Sequence, residues 1–71
     1  MSNQEDRLWH EQMVEEVDEM EEIINGLNEY EEKLKIIREV RARLREMDTQ
    51  IMIGNEVGSD KKEILKLLKD L

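Results

Sequence analysis

His10 is the one imidazole in the chain, and a general base or metal ligand would be sought there first. Its neighbours do not supply the rest of a site. Glu11 follows it, but no second histidine comes four residues later, so a zinc-protease helix is excluded. Arg7 stands three residues before it where a di-iron helix needs a glutamate. A surface histidine is therefore expected. There is no cysteine nucleophile, and the hydroxyls of Ser2, Thr49, Ser59 and Tyr30 are not spaced with a base. Nineteen carboxylates are present, but no calcium-binding loop and no apolar cleft to shift their pKa values can be read from the order of residues. The Gly54-x-x-x-Gly58 segment lacks the Gly-Lys-Ser/Thr of a phosphate loop. The expectation is a protein that is not an enzyme and uses no cofactor and no metal.

What remains is binding, and composition says of what kind. The 71 residues carry 42% charged side chains and a net charge of −8, with two aromatic residues and no proline. That profile fits long helices or a coiled coil better than a mixed fold. The negative balance argues against direct contact with nucleic-acid phosphates or anionic membranes, and a basic protein would be steered toward it. No stretch approaches a membrane span, and the opening Met-Ser-Asn-Gln-Glu-Asp has neither the basic nor the apolar part of a signal peptide. A soluble, cytoplasmic protein is expected. Chains below roughly 70–80 residues need a staple beyond a single core. With no cysteine, self-association is the staple expected here.

The element that must position everything is the turn at Asn25-Gly26-Leu27-Asn28. Asn-Gly after a helical pattern predicts a stop, with Gly26 supplying φ > 0. Asn28 with Glu31 three residues later predicts a new start. The spacing thus predicts an all-α chain of one small domain, residues 1–71: helix 3–25, helix 28–51, loop 52–59, helix 60–71. It would be an antiparallel hairpin plus a short C-terminal helix, dimerising into a helical bundle. The alternative is a long continuous coiled-coil helix running through Gly26.

Helix 3–25, capped by Ser2 or Asn3, carries an apolar stripe of Trp9, Met13, Val17, Met20 and Ile24. Its opposite face bears Glu11, Glu15, Asp18 and Glu22. Helix 28–51 presents Leu34, Ile37, Val40, Leu44, Met47 and Ile51, widened by Tyr30 and Ile36 to an arc of roughly 160°, enough for two neighbouring helices. Helix 60–71 presents Ile64, Leu67, Leu68 and Leu71 opposite Lys61, Lys62, Lys66 and Lys69, with Ser59 or Asp60 as cap and Asp60–Glu63 as a capping box. These apolar residues are the expected surface for self-association or a partner. Folding back at Gly26 pairs residue i with about 54 − i, which sets Glu16 against Arg38 and Arg41 as an expected interhelix ion pair.

The expected function is a small acidic protein–protein interaction module, an adaptor or regulator that binds through its helices and self-associates as a homodimer. Two alternatives stand beside it. One is an acidic nucleic-acid mimic that inhibits a basic nucleic-acid-binding protein. The other is a structural coiled-coil segment of a larger assembly, expected if the chain is a rod.

Overall fold

A computed structural model describes residues 3–27 and 29–71. Among them the chain forms three helices, α1 (Asn3–Asn25), α2 (Glu31–Ile53) and α3 (Gly58–Lys69). It folds back after α1, so the hairpin is correct and the continuous rod is not. The molecule measures 40 × 17 × 16 Å. A single helix through residue 51 would be about 70 Å long.

Both long helices are heptad seams. On α2, Ile37, Val40, Leu44, Met47 and Ile51 step by three and four and are all buried. On α1 the buried row is Asp6, His10, Met13 and Val17, which continues at the same steps into half-buried Met20 and Ile24. α2 is the central helix and packs on both α1 and α3. The width of its apolar arc is therefore used within one chain. Val57 and Ile64 complete the buried core from the α3 side, with Trp9, Val14, Ile36, Leu67, Leu68 and Leu71 packed around it.

Several boundaries and caps differ from the sequence expectation. α2 begins at Glu31 rather than 28 and runs to Ile53 rather than 51. Ser2 and Asn28, the expected caps of the two long helices, lie outside the described residues. Gly26 does end α1, but without a left-handed conformation; the chain leaves through a tighter bond from the Leu27 N–H to the Ile24 carbonyl, 2.9 Å. The left-handed glycine is Gly54, at φ 88° and ψ 14°. There the Asn55 N–H donates to the Gln50 carbonyl at 2.9 Å and the Gly54 N–H to that of Ile51 at 3.0 Å, a complete Schellman stop.

α3 starts two residues earlier than expected, so the loop shrinks and Asp60 with Glu63 does not form a capping box at its start. Val57 takes the N-cap position with no side-chain cap bond. Its side chain is 1% exposed, and burying it outweighs a polar cap. Val57, Ile64 and Leu71 fall at heptad spacing, so the apolar row of α3 starts in the loop.

Candidate functional site

The features that could do something lie on the flanks of the α1–α2 seam. On one flank an open groove of about 740 Å³ runs between the two helices. Val14, Val17 and Leu44 form its floor, Glu11, Glu15 and Asp18 its α1 wall, and Arg41, Arg45 and Asp48 its α2 wall. His10 also lines it, and α3 contributes nothing to it. On the other flank α3 is seated, with Lys61 Nζ 5.0 Å from the centre of the Trp9 ring and Arg43 Nη1 2.9 Å from Glu63 Oε2.

His10 departs from expectation. It is buried, not on the surface, and its Nε2 lies 2.6 Å from the Leu44 carbonyl oxygen, to which it donates. Residues 10 and 44 meet on the register deduced from the turn. Leu44 lies inside α2, where its carbonyl already serves the helix, so the imidazole takes that oxygen's second lone pair. The bond ties the side chain of one long helix to the backbone of the other. Apolar counting misses this residue because its polarity hides its place. The signal was available in the spacing, since Asp6, His10, Met13, Val17, Met20 and Ile24 are separated by four, three, four, three and four.

The expected pair between Glu16 and Arg38 or Arg41 does not form. Glu16 and Arg38 are exposed. Arg41 instead hydrogen-bonds Asp18 and places Nη1 2.7 Å from Glu21 Oε2. Two physical causes account for the change. The buried face of α1 is centred on the Asp6–His10–Val17 side, which turns Glu16 outward. Long side chains also lean toward the N-terminus of their own helix. In an antiparallel hairpin that direction points from Arg41 toward the C-terminal end of α1, past its register partner to residues 18 and 21.

The hydrogen bond that Arg41 donates to Asp18 and then the charge of Glu21 hold the guanidinium pKa above its ordinary value, against an opposing effect of partial burial. Glu21 Oε2 is shielded from water with no well-aligned donor, and the nearby guanidinium charge is what compensates it. α1 has no basic residue in its last turn, so Arg41 also supplies the cation its C-terminal end lacks.

The other residues expected at an interface occupy definite places. Met13, Val17, Ile37, Val40, Leu44, Met47, Ile51 and Ile64 are buried within this one chain. Trp9, Met20, Ile24, Leu34, Leu67, Leu68 and Leu71 are half-buried beside them. Among the described residues the exposed large apolar ones are different: Leu8, Ile23, Leu27, Tyr30, Met52, Ile53 and Leu65.

Charge is distributed unevenly over this frame. α1 carries nine carboxylates against Arg7, a formal −8 that equals the net charge of the whole chain. α2 has six cations against five carboxylates, and α3 four lysines against two. On α1, Glu11, Glu15, Glu16, Asp18, Glu19 and Glu22 are all exposed. Among the described residues no cluster of side chains suited to holding a metal ion occurs, and no helix is long and apolar enough to cross a membrane. Comparison with protein-family models, with curated proteins and with solved structures yields no match.

Proposed function

We propose that this chain is a small acidic interaction module, an adaptor or regulator that binds another protein through a basic surface. The observation behind the proposal is the segregation of charge. One helix carries a formal charge equal to that of the whole chain, most of it on exposed carboxylates, while the other two are near balance. Like charges three and four residues apart each destabilise a helix by about 0.2–0.5 kcal/mol. A surface serving solubility alone would mix the signs. A one-signed face on a preformed helix steers a basic partner and fixes its orientation.

Affinity capture on the intact chain, at low and at raised salt, tests this reading. The expected partners are basic proteins whose capture falls steeply as salt rises and is lost when Glu15, Glu16 and Glu19 are changed to lysine. Partners held equally well by the reversed chain would refute it. If the captured proteins bind nucleic acid through the same surface, and competitor DNA or RNA displaces the chain, the module is a mimic of nucleic acid. Homodimerisation is a separate property, since the core described above closes within one chain; sedimentation equilibrium measures it.

A further inference from the structure

The α1–α2 seam has two flanks, and the fold fills one of them. Its occupant, α3, is a short amphipathic helix with Ile64 buried, Leu67 and Leu68 half-buried, and Lys62, Lys66 and Lys69 facing solvent. The opposite flank is the groove over Val14 and Leu44. Resting on the reading that the partner is basic, we infer that this groove is the docking site and that its occupant is one basic amphipathic helix of another protein. Seated there, it would be the fourth helix of a bundle.

Charge complementarity selects this occupant. Of the carboxylates lining the groove, Asp18 is engaged by Arg41, whereas Glu11 and Glu15 stand exposed one turn apart along the α1 wall. Two further carboxylates extend the line: Asp48 on the facing wall and Glu22 at the next turns of α1, where the depression continues past Asp18. Lysines or arginines at helical spacing on a docked helix meet this row, while its apolar side covers Val14, the half-buried apolar residue of the lining. Arg45, also in the lining, sets the polarity of the fit by demanding an acidic or neutral residue at that one point.

The floor is held in advance of binding. His10 fastens α1 to the α2 backbone at Leu44, and Arg41 clamps the two helices further along. A preformed groove spares the partner the cost of ordering it. A second copy of this chain is a poorer fit, because each copy brings a net charge of −8 to the encounter.

The test uses the intact protein and a synthetic probe. The probe is a peptide of leucine and lysine, about 18 residues or five turns long, patterned at the helical period; its control is the same composition scrambled. Binding is read by amide chemical shifts and titration at low salt. The inference expects shifts centred on Val14, Leu44 and Arg45. It also expects affinity about tenfold weaker for Glu11→Lys with Glu15→Lys, against less than about threefold for Glu39→Lys with Glu46→Lys, which change charge equally outside the groove and off the acidic face of α1. All four positions are exposed, so these variants keep the core intact.

Equal binding of the scrambled peptide, or equal loss from both variant pairs, overturns the groove but leaves the acidic-module reading standing. Groove shifts that follow protein concentration without peptide also overturn it, because the occupant is then a second copy. Failure of both peptides to bind at low salt overturns the groove and the module reading together.

Discussion

Replacing Ile64 with alanine separates a helix that belongs to its own hairpin from one that merely lies near it. Ile64 is fully buried, and with Val57 it is the part of the α3 region that is inserted into the core. Removing its outer atoms from such a site costs about 2–5 kcal/mol, depending on how far the cavity collapses. A core of this size supplies only about 3–5 kcal/mol altogether. The cost therefore exceeds what the remaining half-buried leucines can hold, and α3 should leave. At 12 residues it is too short to stay helical alone.

The readouts follow from geometry. Far-UV helicity should fall by about a fifth, since α3 has 12 residues against 23 in each long helix. Trp9 emission should shift to the red, because Lys61 over its ring departs with α3. Amide exchange should quicken first across residues 58–69. Each change should be independent of protein concentration. Unchanged Trp9 emission and helicity, with less than about 0.5 kcal/mol lost in urea, would show that α3 contributes no such docking energy. Recovery of the Trp9 signal on concentrating the variant with unaltered chain would show that α3 is exchanged between copies.

The remaining predictions concern the turns, the clamp and the acidic face. Gly54→Ala should destabilise by about 1 kcal/mol or more, since its φ of 88° admits a side chain only with strain, whereas Gly26→Ala should stabilise by about 0.4–1 kcal/mol. A Cβ at Gly26 would lie 3.5 Å from the nearest carbonyl oxygen, an ordinary contact; urea titrations of the two variants should move in opposite directions. A double-mutant cycle on Arg41 and Asp18 should give a coupling of about 0.2–1 kcal/mol that shrinks with salt, while one on Arg41 and Glu16 should give none. Glu19→Lys should raise thermal stability, since it replaces repulsion from Glu15, Glu16 and Glu22 with attraction, by about 1 kcal/mol in all; a lower melting temperature would refute the account of α1 as a self-repelling helix.

The reversal at Gly26, the three helices and nearly all of the core could be read from the chain because they depend on period and on turn chemistry. The seams of α2 and α3 are apolar throughout and gave themselves up directly. α1 was harder, since two positions of its seam are Asp6 and His10. A count of apolar residues centres that face on Trp9 and Met20, rotated away from its true direction, and so turns Glu16 inward. The misassigned ion pair is the consequence of that rotation. The register survived it, because register depends on where the chain turns and not on how α1 is rotated about its axis. The loop before α3 was overextended for a related reason: Val57 lies among polar and glycine residues, and only its distance of seven from Ile64 links it to the core.

The groove could not be read from the chain at all, because it is defined by what α3 does not cover. Helical spacing shows that α2 needs two neighbours, but not on which flank the second one sits. Once α3 is placed against Trp9 and Arg43, the opposite flank is left with a floor of Val14 and Leu44 and an acidic wall. That choice of flank has an energetic logic. Lys61 and Glu63 find a ring and a guanidinium on the side where α3 sits, while the row of Glu11, Glu15 and Glu22 remains without its own lysines. Had α3 packed on the other flank, its lysines would have lain beside the acidic row and left less of it to offer a basic partner. The fold instead retains repulsion along α1 and leaves the carboxylates accessible. The Glu19→Lys variant probes this balance, because it should gain stability while losing salt-sensitive capture. A variant that gained both would show that the acidic face is a cost carried without a use.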